Sequence, residues 1–274
     1  MKKERNNMSL MLAEPTRYLM EDSREASRLE DKVDAAAWAE RYARPHLFAG
    51  AEVLCAGCGP GALLRGASGI EPRLRGTGLD LSHARIEEAQ RRSCGYPNLD
   101  FVQGDLQHLP LPDNSFDVTW CRHLIEYLPR KQQAVSELHR VLRPGGTLLL
   151  QDLDGQFLWH YPADEKLSRA VEQVLAALAP TGFDPCAGRK LFHLAKTAGF
   201  RDVLVTVEPY HLYAGAIAAE PFRQWSLKLD ILRPQIVKLL GRAEAGEMIS
   251  SFLDYLANPE TLTYSVLFTV TGRK

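Results

Sequence analysis

The sequence predicts an α/β fold built on a doubly wound, mostly parallel sheet, and two observations carry that prediction. The apolar run Val53-Leu-Cys-Ala breaks into Gly57, Gly59 and Gly61 and feeds a segment of helical composition, a strand–turn–helix unit. Further on, Arg75-Gly-Thr-Gly-Leu-Asp80 and Leu99-Asp-Phe-Val-Gln-Gly-Asp105 are short strands at βα spacing, each ending in an acid. In open α/β sheets ligands bind beyond the carboxyl ends of the strands, so the loop and both acids point to one edge.

Glycines that end a strand bring unobstructed backbone N–H groups and the positive end of a helix dipole against a ligand. The loop therefore reads as a nucleotide-type cofactor site. Gly57-x-Gly59-x-x-Ala62 also fits a permissive dinucleotide pattern, while no Gly-Lys-Ser/Thr follows Gly61, which argues against a phosphate-binding P-loop. A plain strand-to-helix turn is the bland alternative. Asp80 is placed to accept hydrogen bonds from ribose hydroxyls, and Asp105 from a purine amino group. Either acid taken singly is more often a turn or helix-capping residue.

Leu109-Pro-Leu-Pro-Asp-Asn-Ser leads by turns into a fourth strand ending near Cys121. After a helix, Glu137–Gln151 holds a helix end, a Pro-Gly-Gly turn and a fifth strand. Together the glycine loop 53–61, Gly78–Ser82, Gly104-Asp105, Leu109–Trp120 and Leu142–Thr147 resemble the class I S-adenosylmethionine-dependent methyltransferases. The likeness is to the small-molecule, ubiquinone/menaquinone-biosynthesis-like branch, and it covers about residues 50–152.

That resemblance implies a Rossmann-like, seven-stranded mixed sheet with an antiparallel last strand, here Thr261–Thr271. It implies S-adenosyl-L-methionine as cofactor, held by Ala56, Gly57, Cys58, Gly59, Gly61, Asp80, Leu81, Arg85, Gly104, Asp105, Leu106, Cys121 and Arg122. Within Glu25-Ala-Ser-Arg-Leu29, Arg28 is expected either to reach the methionine carboxylate or to be an exposed helix arginine. The chain departs from the family at Cys55, where an acid is usual. Asp152, Arg28 or ordered water is the expected compensation, and Cys55 itself reads as a small buried hydrophobe.

With 274 residues the chain can bury a full core, and its net charge of −1 gives no electrostatic reason to bind nucleic acid. The basic clusters Arg73–Arg75 and Arg91-Arg92 sit beside acids or turns and read as solvated surface. Cys55, Cys58, Cys94, Cys121 and Cys186 make no metal-binding pair of pairs, so no metal is expected. Their odd number fits a reducing cytoplasm. No apolar run reaches the length of a membrane span, and no signal peptide is evident. A cytoplasmic monomer or homodimer acting on a small-molecule acceptor is expected.

The chain divides into an N-terminal helical cap (1–44), a cofactor-binding core (45–154), the remainder of the core (155–213), a helical lid insertion (214–258) and the final strand (259–274). Within the cap, residues 1–14 read as mobile and Arg17–Arg44 as an amphipathic helix. Asp164–Ala179 and Gly188–Gly199 read as helices and Asp202–Pro209 as a strand. The lid is too long for a simple sheet connection. Its apolar face is expected to hold Leu212, Tyr213, Ile217, Phe222, Trp225, Leu229, Ile231 and Leu232.

Methyl transfer from a sulfonium needs alignment rather than a covalent enzyme nucleophile, with a general base where the acceptor is a hydroxyl. His123, just past the fourth strand, is the expected base, and its alternative is an imidazole that only packs. His160, Tyr161, Tyr210 and His211 stand behind it. An oxygen or nitrogen acceptor is expected, with a carbon acceptor as in quinone-pathway relatives of the fold. The competing functional readings are an NAD-type oxidoreductase and a noncatalytic cofactor-binding protein.

Overall fold

The computed structural model describes Met20 and residues 22–274; the expected mobility of residues 1–14 falls outside these. Seven strands form one sheet in the order β3-β2-β1-β4-β5-β7-β6. They are β1 (Glu52–Ala56), β2 (Arg75–Asp80), β3 (Leu99–Gln103), β4 (Phe116–Arg122), β5 (Leu142–Tyr161), β6 (Arg201–Ala214) and β7 (Leu262–Arg273). The first five pair in parallel, and β7 runs antiparallel to both β5 and β6, as expected of the mixed sheet.

Alternation along the central strands divides the interior into two cores. Leu54 and Ala56 of β1, with Leu148 and Leu150 of β5, pack on one face. Val53 and Cys55, with Val118, Trp120 and Leu149, pack on the other. Successive side chains of a strand point to opposite faces, so an unbroken apolar run is what a strand covered on both sides requires. Helices α3 (Ala62–Ile70) and α4 (His83–Arg92) contribute to the second core, and α5 (Lys131–Val141) and α7 (Leu191–Thr197) to the first.

The N-terminal region is not one helix. Helix α1 (Ser23–Lys32) is capped by Asp22 and ends at an extended Val33, and Asp34 then caps α2 (Ala35–Trp38) by accepting from Ala37 N–H. A π turn, Ala39–Ala43, and a 3-10 turn, Arg44–His46, follow. Val33 and Asp34 lie outside regular helix, and the Asp34 carboxylate restarts the hydrogen-bonding ladder, which an amphipathic pattern alone does not reveal. The Trp38 indole donates to Gln151 Oε1 at 2.6 Å and packs edge-on to Trp120, pinning this segment to β4 and β5.

Strand β5 continues ten residues past Gln151 to Tyr161, through an irregularity between Asp154 and Trp159 where Gly155 adopts φ +80°. The Trp159 ring lies 2.4 Å from where a Cβ on Gly155 would stand, so only glycine fits there. Helices α6 (Glu165–Leu178), α8 (Ala219–Leu240) and α9 (Arg242–Ala257) form a third apolar cluster around Trp225, Leu229, Ile249 and Phe252. Gly241, at φ +86°, separates α8 from α9. Leu212 departs from its expected place: it lies on β6 and is 56 % exposed, because the strand extends beyond Pro209 and turns that side chain outward. Among the described residues no helix is long and apolar enough to cross a membrane.

Candidate active site at the carboxyl edge of the sheet

Gly57, Gly59 and Gly61 all adopt left-handed backbone angles, φ +71°, +53° and +84°. Gly57 and Cys58 donate their N–H groups to Leu79 O at 2.7 and 2.9 Å, and Gly59 N–H donates to Asp80 Oδ2 at 2.9 Å. The other Asp80 oxygen accepts from Ser82 N–H at 3.0 Å. The buried Asp80 carboxylate therefore ties the loop to the end of β2, and with about four lone-pair sites it keeps capacity for two more donors. A Cβ on Gly59 would meet only Leu29 Cδ1, at 3.6 Å, so the loop backbone is approachable there.

Leu81, 41 % exposed, offers an apolar face beside Asp80. At the end of β3, Gly104 N–H donates to Asp80 O at 2.9 Å, and Asp105 accepts from Gln107 N–H at 2.8 Å. Leu106 is buried next to it. An approachable glycine backbone, two carboxylates with spare acceptor capacity and an exposed leucine between them fit a nucleoside. Ala56 and Cys58 are buried under this edge, and Arg85 is buried with its guanidinium donating to Met20 O at 3.5 Å.

Arg28 is not an exposed helix arginine. It is buried and forks onto Glu25, at 2.6 and 2.8 Å. Cys55 is buried, and burial pushes its thiol up to about 12, so it packs as a neutral hydrophobe. Burial likewise raises Cys58 and Cys121. Asp152 accepts from Glu126 N–H and Leu153 N–H, both at 2.9 Å, so it braces the turn after β4 rather than the loop beside Cys55.

Past β4, His123 holds φ +53° while its N–H donates to Gln151 O at 2.9 Å. Neither ring nitrogen has a hydrogen-bond partner among the described residues, although both are shielded from solvent. Asp152 Oδ1 lies 3.9 Å from His123 Nδ1, beyond hydrogen-bond reach. Burial, then Arg122, Lys32, His211 and Lys228, hold His123 well below the ordinary imidazole range, leaving it neutral near pH 7. Burial and the Glu126 carboxylate push Asp152 well up, and burial lifts Glu126 to about 7 against the pull of Lys228. His123, Glu126 and Asp152 bring one ligand-type atom each within 4.8 Å of one another. Lys32, Lys131, Lys228 and Arg122 surround these groups and oppose a divalent cation there.

The Tyr210 ring lies 5.6 Å from His123 and 4.4 Å from His211, which stands 5.0 Å from Trp225. Burial would raise the Tyr210 phenol, but Lys32 and Arg122 outweigh it and hold the group below its usual range. His160 instead packs edge-on to Phe252 and Tyr255, and Tyr161 is 73 % exposed. Sequence reasoning missed Lys32, Glu126, Gln156 and Lys228. Gln156, its amide turned to satisfy both neighbours, donates to Glu126 Oε2 at 3.3 Å and accepts from Lys228 Nζ at 2.6 Å. The readable signal was Lys228, a cation between Trp225 and Leu229 on an otherwise apolar helix face.

Two cavities adjoin this cluster. One, about 260 Å³, lies between α1 and α8 with Tyr210 and His211 on its wall. The other, about 70 Å³, lies among α6, α8 and α9 and is lined almost wholly by apolar side chains. Lys228 lines both.

Residues 54–150, which carry the glycine loop, both acids and His123, match a family model described as a methyltransferase domain. The chain is 44 % identical over 109 residues to phthiotriol/phenolphthiotriol dimycocerosates methyltransferase 1 of Mycobacterium ulcerans, covering 39 % of each chain. It is 36 % identical over 125 residues to the malonyl-[acyl-carrier protein] O-methyltransferase of Enterobacter lignolyticus, covering 45 % of this chain and 46 % of that one. The chain thus spans less than half the length of these relatives. The Haemonchus contortus phosphoethanolamine N-methyltransferase 2, solved with phosphomonomethylethanolamine and S-adenosylhomocysteine, superposes with TM-score 0.60 at 16 % identity. That match covers 95 % of this chain and 61 % of the other, and it shows a shared fold.

Proposed function

We propose that this chain, whose residues 54–150 form a methyltransferase domain, is an S-adenosylmethionine-dependent methyltransferase acting on an oxygen or nitrogen of a small-molecule acceptor. One observation carries the reading: the glycine loop stitched to Asp80 shares the carboxyl edge of the sheet with His123, a neutral imidazole packed 5.6 Å from the Tyr210 ring on the wall of the larger cavity. The activities of the two curated relatives support it.

In this reading Gly57, Gly59 and Gly61 with Asp80, Leu81 and Asp105 hold the adenosyl part. S-adenosylmethionine supplies an electrophilic methyl group when bound. The lid and α1 hold the acceptor in line with that group, and such alignment is worth on the order of 7–11 kcal/mol. His123 takes the proton from the acceptor's hydroxyl or amine, a contribution of roughly 10²–10⁴-fold. The residues 155–213 and 214–258 complete the sheet and close the acceptor side, while the cap over 22–44 covers the cofactor side.

Calorimetry with S-adenosylhomocysteine, S-adenosylmethionine and NAD tests the proposal. Both adenosyl compounds should bind and NAD should not; binding of NAD alone overturns it. Adenosyl binding with no turnover across a broad acceptor panel favours a noncatalytic role. In Gly59→Arg the added side chain enters the loop's approachable face, so unchanged S-adenosylmethionine affinity would show the site to be misplaced.

A further inference from the structure

The two cavities differ in chemistry and meet at one side chain. The larger is walled by Lys32 and Lys228 together with the rings of Tyr210, His211 and Trp225. Asp31 and Glu220 line it as well, but both are exposed, and Glu220 pairs with Arg223. Arg28, also on the wall, is balanced by Glu25. On this lining Arg28, Lys32 and Lys228 face two exposed acids beside flat aromatic faces, which suits a compact anionic group.

The smaller cavity is its opposite. Val171 and Leu175 of α6, Leu232 and Ile236 of α8, and Met248 and Phe252 of α9 line it, and the lining residues with polar side-chain groups are Gln156, Lys228, Gln235 and Tyr127. Protein interiors are normally close-packed, and a void within an apolar cluster costs stability that an apolar occupant recovers. Methionine in such a wall adapts to chains of different shape. Tyr127, on the turn that carries Glu126, also lines this slot, so the slot reaches the turn that Asp152 braces.

From the shared position of Lys228 we infer that the methyl acceptor is an amphipathic acid, with an anionic head in the larger cavity and a hydrocarbon arm in the lid slot. The inference rests on the proposed methyltransferase reading for calling this ligand the acceptor. Lys228 marks the junction of head and arm. Lys32, whose Nζ stands 5.4 Å from the Tyr210 ring centroid, faces the head from the opposite helix. The slot, with room for only a few carbons, sets where lengthening the arm stops helping.

The test uses the whole chain saturated with S-adenosylhomocysteine and titrated with straight-chain carboxylates from acetate to dodecanoate, alongside the matching primary alcohols. Affinity should rise about threefold to fourfold for each of the first several methylenes added and then level off. Carboxylates should bind at least tenfold more tightly than alcohols of equal length. Leu232→Trp and, independently, Val171→Phe should abolish the dependence on chain length with S-adenosylhomocysteine affinity unchanged, and Lys228→Met should remove the preference for carboxylates. A flat chain-length series in the unaltered protein, or equal binding of acids and alcohols, overturns the inference. Failure of S-adenosylhomocysteine itself to bind overturns the methyltransferase reading instead.

Discussion

His123 is held by a backbone that few non-glycine residues adopt, and its neighbours decide what its ring can do. A left-handed φ is tolerated more readily by histidine than by most residues, and here it goes with an imidazole packed 5.6 Å from the Tyr210 ring. Because burial and nearby cations keep the ring neutral, it can accept a proton at pH 7. His123→Asn should lower kcat by about 10²–10⁴-fold with little change in S-adenosylhomocysteine affinity, measured by single-turnover kinetics and calorimetry. The sign of the acid limb follows from the same shift: the base is lost only as pH falls through a value well below 6.5, and that limb should vanish in the variant. Glu126 and Lys228 both titrate at about 7, each moved mainly by burial. Lys228 lowers the Glu126 carboxyl, so Lys228→Met should move Glu126 above 7, read from its carboxyl carbon shift by NMR.

At the scale of elements, α3 carries two glycines that serve different ends. A Cβ at Gly66 would stand 2.4 Å from Ala35 O, a backbone atom of α2 that cannot step aside. A Cβ at Gly69 would meet nothing within 4 Å. Alanine gains about 1 kcal/mol over glycine in a helix interior. Gly69→Ala should therefore raise stability by about that amount, whereas Gly66→Ala should lose about 1–3 kcal/mol because overpacking against backbone exceeds the propensity gain. Urea denaturation of the two variants compares them directly, and equal stabilisation of both would contradict the close packing of α2 on α3. The glycine loop was legible because strand, turn and helix are adjacent in sequence. The break at Val33–Asp34 was harder to read, since the apolar spacing continues across it while the hydrogen bonding does not.

Across the whole molecule, the three apolar clusters separate tasks. Two cores flank the sheet and fix its carboxyl edge, and the third lies among α6, α8 and α9, where the proposed acceptor would sit. Trp38 bonded to Gln151, with Gln151 in turn donating to Thr269 Oγ1 at 2.9 Å, links the N-terminal segment through β5 to β7. A ligand that binds only the folded chain stabilises it by mass action. S-adenosylhomocysteine at one hundred times its Kd should add about 2.7 kcal/mol, seen as a rise in Tm, and NAD should add none.

The sequence by itself determined the sheet, the glycine loop and the acids at the ends of β2 and β3, because each depends on neighbours within one strand–turn–helix unit. It also marked His123, whose position follows from where β4 ends. Only the tertiary structure decided that Arg28 turns onto Glu25, that Asp152 braces Glu126, and that Lys228 joins two cavities of opposite character. Glu126, Gln156 and Lys228 are far apart along the chain, and they meet because β5 runs on past the core while α8 folds back over it. Long-range packing set that meeting, and the cost of burying a lysine, a glutamate and an amide without partners is the physical reason they stand together.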